Sequence, residues 1–529
     1  MTYNIVTNFK VGDLREANIT LHMHIDDPKS EISGVDVIYF IAPNQDSISK
    51  MLKDLKASYF EEVYVNFCSL ISNETFEFFV SQLISTEKAT CIKRVSQLNM
   101  GFYPIHQKIF SANIKNCFMN ESEQFYDQVA HRLIDFIFFT GTLPIVIYDP
   151  EVPKTEQIFQ KVKDIFSSSG GYKLPDVDNL KNDKRTILLL NANSFDTGPF
   201  LMRSFKYCDL IVEQFGLFKN PKNFNRINVG DEFMQIDPKN DDFWQRNAFL
   251  DFPYVSENIS EEVETWKERY EKINLKQTDN DSTNFTQKFS EALESLPEIT
   301  ERKKVNQSHI NIATSLMKTI NEKELEKLCV ISHDILTHKK ISKDHHLELE
   351  SILKAPNVDT IDKLRLLLII LTNVDIDMKR YENYEKAVYE TSQVDGKYKN
   401  LITGFKAEKF KIQTETSSLF SKLKSKSKNV WRTMINQNYK FATSSLVYNI
   451  FRKKDVLDRF KIQQLIPNAS QFMLNKVENI IVFNIDGGNM VEYNELKEVG
   501  DQLDKNVYYG FSDLLTGSDV IKSLSKIDQ

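Results

Sequence analysis

The sequence predicts an α/β chain: two parallel-sheet α/β parts, with a large mainly helical insertion interrupting the second. Three observations predict it. Strand and helix signals alternate over residues 35–215, the texture turns helical and charged after about Asn240, and the strand–helix alternation returns from Asn479. Alternation of this kind builds parallel sheets covered by helices.

In order, Val35 to Ile41 (VDVIYFI) is β-branched and aromatic without polar alternation, which predicts a buried strand. Ala42-Pro43-Asn44 breaks the chain, and Asp46 is expected to cap a helix carrying Ile48, Met51, Leu52 and Leu55 on one face. Phosphate-holding turns at this place are glycine-rich, whereas Pro43 removes an N–H donor. Further strands are expected at 62–67, 143–148 and 185–191, with helices near 46–57, 73–86, 122–139, 154–167 and 199–215. Helical segments at 257–275, 285–328 and 360–390 follow, then strands at 479–485 and 507–511 with helices at 491–504 and 517–527. Two closing strands make a poor sheet alone, so they are expected to complete the sheet begun at 143–191. This gives three domains: 1–121, a discontinuous 122–238 with 470–529, and a helical 239–469.

The 529 residues are 41% hydrophobic, enough for several cores, with a formal net charge of −7 that disfavours general nucleic-acid binding. Five cysteines without CxxC spacing fit reduced thiols in a cytoplasmic protein. The N-terminus lacks a signal-peptide core, and the apolar runs are too short to span a bilayer, so membrane contact is expected to be peripheral.

Catalytic and cofactor motifs find no foothold. Asp486-Gly487-Gly488-Asn489 follows a strand and could hold an anion, but a tight turn explains it equally, and no GxGxxG or GxxxxGK[ST] pattern accompanies it. Cys329, His333, His338, His345 and His346 match no zinc spacing. No cofactor, metal or small-molecule substrate is expected. The basic run 419–440 holds Lys422, Lys424, Lys426, Lys428, Arg432 and Lys440 without an acid, and reads either as a contact for acidic lipid or an acidic helix, or as a solvated linker.

Several segments together resemble the Sec/Munc (SM) family of SNARE-binding vesicle-fusion proteins, in particular its Sly branch of ER–Golgi traffic. They include NITLHMHIDD and VDVIYFIAPNQDSISKMLKDLKASYFEEVYVNF (18–67), LPIVIYDP (143–150), RTILLLNANSFDTGPFLMRSFKYCDLI (185–211), DDFWQRNAFLDFPYVSENI (241–259) and the C-terminal IIVFNIDGGNMVEYNEL. The resemblance implies a three-domain arch that holds SNARE helices, partners of the syntaxin type and the assembled SNARE bundle, no enzymatic step, and peripheral association with ER and Golgi membranes.

It further implies an outer apolar pocket for a syntaxin N-terminal peptide within 74–102, lined by Leu83, Ile84, Ile92 and Val95. Burying about 250 Å² of apolar peptide there would gain roughly 6 kcal/mol before ordering costs, which suits a micromolar-class tether. A helical hairpin around Ser295 to Ile320 is expected to guide SNARE helices, with a bend at Pro297 and family-like positions at His309 and Asn311. Lys10 and Arg15 match basic positions on the inner face of the first domain. Family members usually carry a strand ahead of NITLHMHI, so either the sequence is truncated at its N-terminus or the first sheet lacks a strand, and truncation is the expectation because an uncovered sheet edge is an association hazard. Asn191-Ala192 replaces the Asp-Arg pair of relatives, and the segment 277–284 is shorter than theirs. The alternatives are an SM protein of an endosomal or vacuolar tethering complex, and a nucleotide-binding enzyme using the Gly487-Gly488 turn.

Overall fold

The computed structural model describes residues 15–16, 18–29, 34–57, 59–69, 71–167, 181–192, 196–220, 224–238, 240–276, 285–410, 441–452, 458–465 and 474–526. Lys10, the segment 277–284 and the basic run 419–440 lie outside the described residues. The chain divides into two compact units, Met1–Thr197 with Lys422–Leu515 and Gly198–Ser421 with Thr516–Gln529.

The first unit begins with β1 (Val37–Ile41), α1 (Gln45–Lys56), β2 (Val63–Phe67), α2 (Asn73–Ile84) and β3 (Ile92–Gln97). It continues through β4 (Tyr103–His106), β5 (Ile109–Ser111), α3 (Glu123–Thr140), β6 (Thr142–Tyr148), α4 (Pro153–Ser167) and β7 (Lys181–Asn191). The second unit holds α5 (Tyr207–Phe215), β8 (Arg226–Val229), β9 (Glu232–Gln235), α6 (Asp242–Asn247), α7 (Phe252–Lys276) and α8 (Phe285–Lys323). Then come α9 (Leu325–His338), α10 (Lys343–Lys354), α11 (Thr360–Asn373), α12 (Met378–Thr391) and α13 (Gly396–Phe410). The first unit resumes with α14 (Ala442–Arg452), β10 (Lys461–Gln464), β11 (Asn479–Asn484), α15 (Met490–Leu503) and β12 (Asn506–Phe511), and α16 (Gly517–Leu524) belongs to the second.

Strands β1, β2 and β3 form a parallel three-stranded sheet in that order. Its core joins Tyr39, Ile41, Val63, Val65 and Phe67 to Ile48, Met51, Leu52 and Leu55 of α1 and Phe79 of α2. The strand expected to be wholly buried is buried on one face only. Ile38 is 51% and Phe40 39% exposed, because successive side chains of a strand point to opposite faces and α1 and α2 pack on the face of Tyr39 and Ile41. The cap of α1 also differs from expectation. Asn44, in an extended conformation, accepts the Ser47 N–H at 2.8 Å, while Asp46 sits in the first turn and pairs with Lys50 at 2.7 Å.

The second sheet has the order β10-β6-β7-β11-β12-β5-β4. Neighbours from β6 to β5 run parallel, and β10 and β4 close the two ends antiparallel. The late strands β11 and β12 thus occupy its middle, paired with β7 on one side and β5 on the other. Residues Leu143 to Tyr148 and Ile187 to Leu190 are buried, as apolar strands between helical layers should be. Asn191 ends β7 inside a buried polar network: its amide donates to Asn484 Oδ1 at 2.7 Å and Thr443 Oγ1 at 3.0 Å, and Asn484 in turn donates to the Glu492 carboxylate.

The second unit is mainly helical. The helix expected over 285–328 ends at Lys323, because Glu324 turns left-handed (φ +52°). That expected over 360–390 breaks before Asp377, whose side chain accepts the Arg380 N–H at 2.9 Å and starts α12. The segment expected as one helix over 199–215 resolves into a short turn at Gly198–Leu201 and α5. Helix α11 is buried along Asp362 to Leu371. Its Arg365 donates to the carbonyls of Phe200, Leu201 and Met202 at 2.9–3.0 Å and to Glu213 at 3.1 and 3.2 Å. Arg203 pairs with Asp362 at 2.6 Å and Glu213 at 3.2 Å. Burial alone would raise the Glu213 carboxyl, but Arg365 and Arg203 outweigh it and hold the group at about 2.

Candidate partner-binding site

Helix α2 starts where Ser72 accepts the Thr75 N–H at 3.2 Å. Its sequence NETFEFFVSQLI has too many apolar positions for one core-facing stripe, and the structure divides them between two faces. Phe79 is buried, and Phe78 and Leu83 pack against the core of the three-stranded sheet. Phe76, Val80 and Ile84, at four-residue spacing, form a second stripe in water, with Ile84 67% exposed. On β3, the other terminal strand, Ile92 packs against the same core while Val95 is exposed.

The four pocket residues expected from the sequence therefore fall into two pairs. Leu83 and Ile92 pack against the core, and Ile84 and Val95 face solvent. Phe76 and Val80 belong to the surface and were missed, though their spacing to Ile84 was readable. Phe76 also leans on the buried Phe79, with ring centroids 6.1 Å apart, but the row keeps much of its apolar area in water, and a run of this kind suits an apolar segment of a partner. Polar groups edge it: Glu74, Glu77 and Arg94 are exposed, with Arg94 Nε 2.9 Å from Ser96 Oγ.

In the second unit, α7 packs against α8. Pro297 lies inside α8, which runs without a break from Phe285 to Lys323. The stretch Ser295 to Ile320 is thus one arm of the hairpin, with α7 as the other. His309 is 1% exposed, with Nδ1 2.9 Å from Tyr207 Oη, Nε2 2.9 Å from Asp241 Oδ2, and the Phe243 ring 4.6 Å away. Asp241 also caps α6, accepting the Trp244 N–H at 2.8 Å. His309 therefore fastens α8 to α5 and α6 and does not meet a partner. Asn311 is nearer the surface and donates to Glu232 of β9 at 3.1 Å. Arg15 is exposed.

The Gly487-Gly488 turn is filled by the protein itself. Gly487 has φ +98°, and a Cβ there would lie 2.5 Å from Leu515; at Gly488 one would lie 2.6 Å from Phe511 and against Tyr509 Oη. Gly488 N–H donates to the Asp513 carbonyl, and Asp486 is buried against Lys154 Nζ at 2.6 Å. Close packing and a carboxylate leave no cradle for a phosphate. Within the Cys329–His346 group, Cys329 is buried, His333 and His345 lie 3.7 and 3.3 Å from the Asp334 carboxylate, and His346 contacts Tyr384; no three of its members among the described residues are placed to hold a metal ion.

Solved SM proteins share this fold. Vps45, in a structure with the Qa SNARE Tlg2, matches with a TM-score of 0.76 at 15% identity, covering 99% of this chain and 92% of that one. Sly1p, solved with an N-terminal peptide of Sed5p, matches with a TM-score of 0.74 at 20% identity, covering 98% and 89%. The sequence profile of the Sec1 family matches residues 3–523, and the chain belongs to that family. Among relatives, SEC1 family transport protein SLY1 of Arabidopsis thaliana is 24% identical over 97% of this chain and 88% of its own length. Protein SLY1 of Saccharomyces cerevisiae is 23% identical over 99% and 89%. Sec1 family domain-containing protein 1 of Homo sapiens is 23% identical over 98% and 90%.

Proposed function

We propose that this protein binds a syntaxin-type SNARE and chaperones assembly of the SNARE bundle during docking and fusion of ER-derived vesicles at the Golgi. The observation that carries this is the exposed stripe Phe76, Val80 and Ile84 with Val95, in a chain of the Sec1 family. It is the natural seat for the apolar residues of a syntaxin N-terminal peptide. The proposed action is stoichiometric and non-enzymatic. Helices held in register on the protein, along α7 and α8 among other surfaces, lose the nucleation cost of a long coiled coil. The proposed division of labour assigns peptide binding to residues 1–121, helix guidance to 239–469, and a framework role to 122–238 with 470–529. Strands β4 and β5, within the first of these parts, hydrogen-bond in the seven-stranded sheet.

No helix among the described residues is long and apolar enough to cross a membrane. The proposed location is cytoplasmic, held at ER and Golgi membranes through the SNARE itself. The SLY1 names of the sequence relatives support the ER–Golgi step over an endosomal one, which the likeness of fold to Vps45 alone does not separate. Titration of labelled syntaxin N-terminal peptides against the intact chain tests both points. Saturable micromolar binding of an early-Golgi peptide and weaker binding of an endosomal one is expected. The reverse order would move the protein to the endosomal branch, and no binding of either would remove the peptide site.

A further inference from the structure

Lys363 of α11 has no solvent exposure, yet no carboxylate pairs with it among the described residues. Its ammonium instead donates to two hydroxyls, Thr391 Oγ1 at 3.2 Å and Ser392 Oγ at 2.9 Å. Both end α12, where the C-terminal helix dipole favours a cation. A buried ammonium with only neutral partners is held at a cost, and burial lowers its pKa from the usual lysine value.

The chain around Ser392 has a second feature. Ser392 to Asp395 form a non-helical link between α12 and α13, half-buried at Ser392 and exposed at Gln393 and Asp395. Glu390 precedes the serine by two residues, Asp395 follows it by three, and no basic residue lies between Ala387 and Gly396. Asp395 pairs with Lys397 at 3.4 Å and Glu390 with Lys386 at 3.6 Å, both exposed pairs that a binding kinase can open. An acid three residues after a serine, with no basic residue between them, is the pattern that acid-directed serine/threonine kinases read. We propose that Ser392 is a phosphorylation site and that buried Lys363 is the built-in counter-ion for its phosphate.

In the modification, Ser392 Oγ attacks the γ-phosphorus of ATP. The new O–P bond forms as the bond to the β,γ-bridging oxygen breaks, the hydroxyl proton passes to the kinase's base, and ADP leaves. The product carries a charge of about −1.5 to −2 beside Lys363 Nζ. The end of α12 opposes an anion, so any gain in stability depends on Lys363. Through it, phosphate would tie the end of α12 to α11, the helix whose Asp362 and Arg365 belong to the buried ion-pair cluster.

The test uses the intact protein, ATP and an acid-directed serine/threonine kinase, with phosphate mapped by mass spectrometry. Incorporation at Ser392 is expected to approach one group per chain and to vanish in Ser392→Ala. It should slow at least about tenfold in Asp395→Asn, which keeps a side chain able to cap α13. The phosphorylated wild type should melt about 2–4 °C higher than the unmodified chain. Lys363→Met should take up phosphate at the same serine without that gain. No phosphate on Ser392, a phosphorylated wild type that melts no higher, or an equal gain in Lys363→Met would overturn the proposal. The wild-type comparison decides even if the variant fails to fold.

Discussion

Replacing Ile84 by serine separates partner binding from folding. Ile84 is 67% exposed and its neighbour Leu83 packs on the core, so a change at 84 removes surface while one at 83 also disturbs the sheet. Fully burying an isoleucine side chain gains about 1.5–3 kcal/mol. Two thirds of it remains to be covered by a partner, so the serine variant should lose about 1–2 kcal/mol, or about 5–30-fold in Kd. Fluorescence anisotropy with a labelled early-Golgi syntaxin N-terminal peptide reads this directly. A thermal melt of the same sample should move by less than about 1 °C, because surface changes away from the core are nearly neutral. Unchanged affinity in a folded variant would refute the placing of the peptide on α2.

Gly488→Ala should destabilise the first unit by about 1–3 kcal/mol, read as an earlier melt, because its methyl would press on Tyr509 and Phe511. Glu213, held at about 2 against an ordinary carboxyl near 4.5, stabilises fully above pH 4.5 and loses that contribution as pH falls through about 2. The loss amounts to about 3 kcal/mol, and Glu213→Gln should flatten this acid limb in denaturant titrations. Asp209 runs the other way. Burial raises its carboxyl to about 7, so stability is lost as pH rises from about 4 through 7, and Asp209→Asn should melt higher than wild type at pH 8. His309→Ala leaves Tyr207 and Asp241 buried without their shared partner and should cost about 2–4 kcal/mol, detectable as early exchange of amides in α8.

Much of the sheet framework was legible because β1, β2, β6, β7, β11 and β12 are β-branched or aromatic runs bounded by turn residues. The strands that were not legible are short or terminal. β3 (IKRVSQ) carries two cations, β4 contains Pro104 at a sheet edge where a ladder N–H is not needed, and β10 (KIQQ) is polar. Helix breaks at Glu324 and Val374 escaped notice because no glycine or proline marks them. On α2 the sequence placed Leu83 and Ile84 together, but only packing divides core from surface. The burial of His309 rests on Tyr207 and Asp241, 102 and 68 residues away, which no local pattern reveals.

The rate of assembly of the early-Golgi SNARE four-helix bundle, followed by energy transfer between labelled helices, tests the central claim most directly. The account predicts acceleration that saturates at one chain per bundle and needs no nucleotide. An assembly rate indifferent to the protein, or an acceleration that requires ATP or GTP hydrolysis, would contradict it.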